Sequence, residues 1–198
     1  MRLRPKRPRH SPSPIVLLYR VFPYLESASP GEPGHPMFVQ TPQGAGRWDN
    51  PSLYLVRYFA LSPEAAIGET FGNFPIWSPA MLRRPDLPDS ERKIGVYQID
   101  EEVNPLLDLD NAANLFHRHI KPTDVVRRNR PVTQKIAADI FNEDKWAGIQ
   151  WWSFHRPHWP VVAVWVADNV TFLSVEGILT HNAYEDAAKT LCKVREES

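Results

Sequence analysis

Apolar residues fall in short, dense runs along this chain. Residues 15–22 (IVLLYRVF) are β-branched and apolar apart from Arg20 and stop at Pro23, which predicts an opening strand. The runs 53–61 (LYLVRYFAL), 94–99 (IGVYQI) and 106–109 predict three more strands, the last a short one. Residues 161–166 (VVAVWV) and 170–175 (VTFLSV) read as two further strands joined at Ala167-Asp168-Asn169, a hairpin signal. Helical patterns lie between these runs. Ser62-Pro63-Glu64 combines an N-cap side chain, a proline at the first helical position and a carboxylate at the positive end of the helix dipole, so a helix is expected over 63–71. Thr133 is expected to cap a helix in which Ile136, Ala137, Ile140 and Phe141 share one face that packs on the sheet. Residues 183–194 read as a closing amphipathic helix, while 26–46 and the polar, proline-rich stretch 77–92 read as loops, the second exposed. Short strands and helices without strict βαβ alternation favour α+β over a doubly wound sheet.

Composition sharpens this picture. The chain has 198 residues, of which 42% are hydrophobic and 11% aromatic, enough for one compact domain and too apolar for disorder throughout. Its 20 prolines are about twice the usual share, clustered so that long ordered loops are expected between short elements. Basic and acidic residues balance at 23 each, which gives no global field to draw nucleic acid or a membrane. The balance is uneven along the chain, however, because Arg2, Arg4, Lys6, Arg7 and Arg9 all precede the first acidic residue, Glu26. Residues 1–14, rich in Arg and Pro, are expected to be a disordered basic leader, with 15–198 as a single domain. The lone cysteine, Cys192, rules out an internal disulfide and a site of paired thiolates. With no apolar run near the roughly 20 residues of a spanning helix, a cytoplasmic protein with no membrane and no direct nucleic-acid partner is expected.

Several clusters invite a chemical reading. Gly44-Ala45-Gly46-Arg47-Trp48-Asp49 lacks the third glycine and the strand-to-helix context of a dinucleotide loop, so its glycines are read as allowing close packing around an Arg-Trp pair. The pairs His117/His119 and His155/His158 have no carboxylate or thiolate at metal-site spacing, and no metal site is expected. Trp146, Trp151, Trp152, Phe154 and Trp159 surround Ser153, as core or as the wall of a concave site. No Gly-x-Ser-x-Gly elbow surrounds that serine, which leaves a hydrolase triad unsupported. Glu69 follows Ala65 by four in the first helix, on or near its buried side, where a carboxylate needs a partner or a task.

Taken in order, Leu18-Tyr19-Arg20-Val21, Gly46-Arg47-Trp48, the segment from Tyr58 through Ser62-Pro63-Glu64 to Glu69, and Trp146-Ala147-Gly148-Ile149-Gln150-Trp151-Trp152-Ser153 resemble the signatures of the RES domain family. The resemblance runs from about residue 17 to about residue 190, with Arg47, Tyr58 and Glu69 spaced by 11 and 11. It implies an ADP-ribosyltransferase-like α+β fold, with short strands in a mixed or antiparallel core and flanking helices. It also implies an NAD⁺-degrading toxin enzyme of a bacterial RES–Xre toxin–antitoxin system, a glycohydrolase or phosphorylase. By position, Arg20 and Arg47 match the family's arginines, Tyr58 its tyrosine, Glu69 its glutamate and Ser153 its serine. NAD⁺ is then the substrate, with no further cofactor, inorganic phosphate is a candidate co-substrate, and an Xre-like antitoxin is the expected protein partner. Nicotinamide leaves as a neutral group, so the chemistry asks for support of an oxocarbenium-like ribose, which a carboxylate such as Glu69 supplies. Arginines suit the pyrophosphate, an aromatic ring the nicotinamide, and a serine hydroxyl the orientation of the substrate.

Two segments depart from the family pattern. Asp49-Asn50-Pro51 follows Trp48 without the glycine-rich continuation, and 154–160 (FHRPHWP) is bulky where small residues are common. Both border the expected pocket and bear on the acceptor. The alternatives are a mono-ADP-ribosyltransferase acting on a protein, and a catalytically silent RES-like module that binds a nucleotide or a partner.

Overall fold

The computed structural model of the chain describes residues 15–165 and 169–196, so the basic leader expected over 1–14 lies outside the described residues. The fold is built on a seven-stranded mixed sheet of order β5-β6-β7-β2-β1-β4-β8. One half consists of β1 (Ile15–Tyr24), β4 (Glu91–Asp100) and β8 (Val170–Gly177), with β1 and β4 paired along ten residues. The other half consists of β2 (Arg57–Ala60), β7 (Pro160–Val164), β6 (Gly148–Trp152) and β5 (Leu106–Asp108). All pairs are antiparallel except β5 with β6. A single registered pair, Tyr19↔Ala60, joins the two halves. A small parallel pair, β3 (Ile76–Trp77) with β9 (Val194–Arg195), lies outside this sheet.

Among the described residues, five helices flank the sheet, α1 (Pro63–Phe71), α2 (Ala112–His117), α3 (Pro122–Val126), α4 (Arg130–Phe141) and α5 (Asn182–Thr190). Three clusters of buried side chains follow from strand alternation and helix faces. Trp48, Ile149, Trp151 and Trp165 gather with Ala137 and Ile140 of α4. Phe71, Trp77, Ile94 and Tyr184 fill the space between α1 and α5. Leu18, Phe59, Tyr97, Val162 and Val170 form the third cluster, so β7 and β8 share a core although three strands separate them in the sheet.

The expected helix at 63–71 is the observed α1, and Ser62 caps it by accepting from the Ala65 N–H at 3.2 Å. Other elements differ from expectation for identifiable reasons. The predicted strand 53–61 shortens to β2 because Leu53 and Tyr54 turn their N–H groups back onto the Asn50 carbonyl. Pro23 does not end β1 but pairs with Arg92 inside it; β2 meets β1 only near Tyr19, so the missing N–H of Pro23 interrupts no ladder there. The predicted exposed loop 77–92 contains fully buried Trp77 and nearly buried Leu82, a 3₁₀ turn (Pro79–Leu82) and the start of β4. The predicted β7–β8 hairpin is absent: β7 pairs with β2 and β6, and β8 with β4. Residues 166–168, which hold most of that expected turn, lie outside the described residues.

Thr133 is not a cap. It sits inside α4, fully buried, after the N-cap Asn129, and its hydroxyl donates to the Arg47 carbonyl at 2.6 Å. The closing helix stops at Thr190 rather than running to 194, because Cys192 takes a φ of +52°. The N–H of Lys193 returns to the Ala188 carbonyl at 2.8 Å and that of Cys192 to Lys189 at 3.1 Å, a Schellman ending that releases the chain into β9. Sequence periodicity did not indicate β6, a strand in the middle of its half-sheet, nor the short helices α2 and α3.

Two buried phenols make the fold sensitive to alkali. Burial pushes Tyr54 and Tyr97 up to about 12 from 10.0, so both stay neutral in the folded chain after unfolded phenols have begun to ionise. The unfolded state then binds fewer protons than the folded one, and stability present below pH 10 is lost as pH rises toward 12. Urea midpoints at about pH 8 and about pH 11 are expected to show that loss, and a Tyr54→Phe/Tyr97→Phe double variant is expected to show a shallower one.

Candidate active site

Because β1 and β2 touch at one registered pair, at the last residue of β2, the two strands part along the rest of β2 and leave a cleft. A cavity of about 270 Å³ opens there, lined by Tyr19, Arg20, Tyr58, Glu69, Thr70 and Trp151 among others. Arg20 comes from β1, Tyr58 from β2 and Glu69 from the last turn and a half of α1. That helix buries Ala65, Ala66, Ile67, Gly68 and Phe71, and Glu69 projects from the side left open to the cavity. Its side chain is exposed rather than on the buried side as the spacing predicts, since the cleft itself admits solvent at this point.

Ser153 lies beneath Glu69, just past the end of β6, and is 1% exposed. Its Oγ accepts from the N–H groups of His155 at 3.0 Å and Arg156 at 3.3 Å, and its hydroxyl donates to Glu69 Oε1. With two backbone donors aimed at its lone pairs, the serine can send its one proton only to the carboxylate, which fixes the direction of that bond. Behind it, the ring of Trp159 packs so closely on Gly68 that a Cβ at Gly68 would collide with it. The bulky 154–160 segment thus fits against α1 at a glycine.

The loop that carries Arg47 is organised by Asp49. This buried carboxylate accepts from the N–H groups of Gly44 at 2.8 Å and Gly46 at 2.7 Å, and from the Tyr58 hydroxyl at 2.6 Å. The Tyr58 oxygen in turn accepts from the Trp48 N–H at 3.0 Å. A Cβ on Gly46 would run into both Asp49 and Tyr58, and Gly44 has a φ of +136°, so both glycines are needed for this turn. Burial and the Asp49 carboxylate hold the Tyr58 hydroxyl far above its ordinary pKa, so it remains a neutral donor. Trp48 is fully buried beside Trp151, ring centres 5.3 Å apart and edge to face.

Arg47 leaves this loop away from Tyr58. Its Nη1 donates to the carbonyls of Val125 at 3.0 Å and Arg127 at 2.6 Å, which ties it to the end of α3. It does not line the 270 Å³ cavity, but Glu69 and Tyr58 both act on its charge through space. Burial lowers the Arg47 pKa most, the Arg130 and Arg128 guanidiniums lower it further, and Glu69 opposes them; it stays protonated throughout the biological range. Arg20 is also lowered by burial and donates to the Phe38 carbonyl at 3.3 Å. It lines the first cavity and a second of about 320 Å³ that also includes Tyr58, Asp49 and Gly46, so the two spaces meet at Arg20 and Tyr58.

Of the residues singled out in the sequence, Arg20, Tyr58, Glu69 and Ser153 converge on one cleft, and Arg47 stands at its side. Trp151, read from the sequence as core or as the wall of a concave site, is both, whereas Asp49 and Tyr19 belong to the site and were given no role there. A carboxylate three and five residues after two glycines is an available signal for Asp49, because Asp side chains fold turns by accepting nearby N–H groups. Among the described residues, no three His, Cys, Asp or Glu side chains gather as metal ligands, and no helix is long and apolar enough to cross a membrane.

Comparison with known proteins defines the class. The RES domain profile matches residues 17–182, and the chain belongs to the RES domain family. Among solved structures, it resembles a chain of the crystal structure of the M. tuberculosis MbcT-MbcA toxin-antitoxin complex, with a TM-score of 0.56 and 14% identity over 82% of this chain and 84% of that one. The α+β architecture, a mixed seven-stranded sheet with flanking helices, is the fold it shares with that chain. A search of curated proteins by sequence gave no match.

The Asp49–Tyr58–Trp48 relay gives a stability prediction. Tyr58→Phe leaves a buried carboxylate oxygen and the Trp48 N–H without their shared partner, and is expected to cost about 1–3 kcal/mol. Urea unfolding of the variant measures it, and a midpoint equal to the parent's would show that the relay contributes nothing.

Proposed function

We propose that this chain is the toxin enzyme of a toxin–antitoxin pair and that it breaks the nicotinamide–ribose bond of NAD⁺. The observation that carries this reading is the Glu69 carboxylate, oriented by Ser153 at the cavity shared with Arg20 and Tyr58. The C1′–N bond breaks with its electron pair going to the nicotinamide nitrogen, which neutralises the pyridinium and leaves positive charge on the ribose. Glu69, beside that ribose, stabilises the charge as it develops and holds a ribose hydroxyl. An acceptor oxygen then bonds to C1′; water, losing one proton to solvent, yields ADP-ribose, and inorganic phosphate, attacking through an anionic oxygen, yields its phosphorylated form. Arg20 and Arg47 balance the two negative charges of the pyrophosphate. The Tyr58 ring supports the nicotinamide, and its hydroxyl, engaged by Asp49, takes no proton-transfer role.

Ser153 acts through Glu69 and is a positioning residue. Its hydroxyl keeps one carboxylate oxygen aimed inward, and the backbone N–H groups of His155 and Arg156 that donate to its Oγ keep the following loop in place. A protein partner fits the same reading, because the similar structure comes from a toxin-antitoxin complex. Growth arrest on expression of this chain, relieved by a co-expressed antitoxin, is the corresponding behaviour in cells.

The test is NAD⁺ consumption by purified protein with and without inorganic phosphate, with products identified by mass. Loss of NAD⁺ to ADP-ribose, or to phosphorylated ADP-ribose only with phosphate, is expected. Glu69→Gln should lower kcat by about 100-fold or more with the fold intact, the scale of removing one charge-stabilising group. Full activity in that variant would remove Glu69 from the chemistry. Labelling of a protein by NAD⁺ without free product would overturn the reading in favour of a transferase.

A further inference from the structure

The run Arg127-Arg128-Asn129-Arg130 joins α3 to α4, of which Arg130 is the first residue, and was not assigned a role above beyond the carbonyl that holds Arg47. Arg127 pairs with Asp124 at 2.8 Å. Among the described residues, Arg47, Arg128 and Arg130 have no carboxylate within ion-pair distance, although the charges of Arg128 and Arg130 both reach Arg47. Arg130 spends its Nε on the Ala45 carbonyl at 3.1 Å, while its buried Nη1 has no hydrogen-bond partner. Arg128 lies with its guanidinium carbon 5.2 Å from the centre of the Phe154 ring, the residue next to Ser153. The N-cap of the twelve-residue helix α4, Asn129, makes no capping bond with its side chain, so the positive end of that helix is also unneutralised here.

Three like charges and an unpartnered buried donor beside the cleft are costly unless an anion joins them. The functional reading already assigns the pyrophosphate's two charges to Arg20 and Arg47. Arg128 and Arg130 are then two positive charges in excess, which matches the charge of about −1.5 to −2 on one phosphate monoester at pH 7. We propose, resting on that reading, that Arg128 and Arg130 beside Arg47 hold a third phosphoryl group at the mouth of the cleft. Arg130 Nη1 supplies the buried donor, and Arg128, seated over Phe154, closes the outer side. Two sources share this chemistry: a 2′-phosphate on the adenosine ribose of the dinucleotide, as in NADP⁺, and free inorganic phosphate serving as the acceptor.

The experiment compares kcat/KM for NAD⁺ and NADP⁺, each with and without inorganic phosphate, in the parent protein and in Arg128→Gln, Arg130→Gln and Arg130→Lys. If the 2′-phosphate is the occupant, the parent prefers NADP⁺, and each Gln variant lowers the NADP⁺/NAD⁺ ratio about tenfold, with partial rescue by Lys. If free phosphate is the occupant, the parent is stimulated by phosphate, and the Gln variants raise its half-saturating concentration about tenfold. Parallel loss of both substrates without a change in ratio or phosphate response overturns the proposal, as does no change in any arm. Calorimetry with ADP-ribose, 2′-phospho-ADP-ribose and inorganic phosphate separates this outcome from failure of the functional reading. In a parent protein that turns over neither dinucleotide, tighter binding of the 2′-phosphate or binding of free phosphate, weakened about tenfold by Arg128→Gln, upholds the site. Equal binding of the two ADP-riboses with no binding of phosphate overturns it.

Discussion

Tyr19 and Ala60 form the one registered contact between the two halves of the sheet, and the geometry of the cleft follows from it. A sheet paired along its whole length would leave no space between β1 and β2. Here β1 spends its ladder on β4 along ten residues and β2 spends its own on β7, so the halves meet and then part. What keeps them from separating further is α1, which buries Ala65 and Ala66 in one core cluster and Ile67 and Phe71 in another. Tyr19 and Val21 pack against both clusters beneath it. The helix that bridges the halves is also the helix that carries Glu69, so the carboxylate is fixed relative to both walls of the cleft at once.

Around that junction, side chains from distant segments are held mainly by backbone groups. Arg47 is tied to carbonyls about eighty residues later in the chain, its own carbonyl is held by Thr133, and Gln134 donates to the carbonyls of Gly44 and Gly46. Each of these bonds links the 44–49 loop to the α3–α4 region, and none is local. In the proposed role of binding substrate, an arginine whose geometry has already been set by folding would lose little further freedom. The buried position of Thr133 has the same origin: a hydroxyl inside a helix needs a partner, and it finds one in the loop it supports.

This division explains what could be read from the sequence. Local signals were legible: Ser62-Pro63-Glu64 marks the start of α1, and the apolar runs mark β1, β4, β7 and β8. The α+β class was legible in the succession of short strands and helices, and the order of Arg20, Arg47, Tyr58, Glu69 and Ser153 through family resemblance. Pairing was not, because a turn-like Asp168-Asn169 between two β-branched runs describes a hairpin as well as a connection between strands that do not pair. β6 was hidden because GIQWW is dominated by tryptophans that read as an aromatic cluster; its alternation places Trp151 inward and Trp152 less so. The role of Asp49 depends on Tyr58 nine residues away, and that contact exists only once β2 has paired.

Asp49 and Glu69 also show how one cleft keeps two carboxylates apart in function. Asp49 is 6% exposed and accepts three hydrogen bonds, two from backbone N–H groups and one from a phenol. Its charge is spread over donors that cannot leave, so it has little capacity left for a substrate and serves to shape the loop. Glu69 is exposed to the cavity and, among the described residues, takes one side-chain hydrogen bond, from Ser153. Its remaining oxygen capacity faces the space between Arg20 and Tyr58. In the proposed reaction a cationic centre forming there would meet an oriented carboxylate whose charge is not already satisfied, which is the condition for stabilising a transition state more than a ground state. Exchanging the surroundings of the two groups would exchange their roles, since the side chains differ by one methylene and the environments by two hydrogen bonds and a wall of protein.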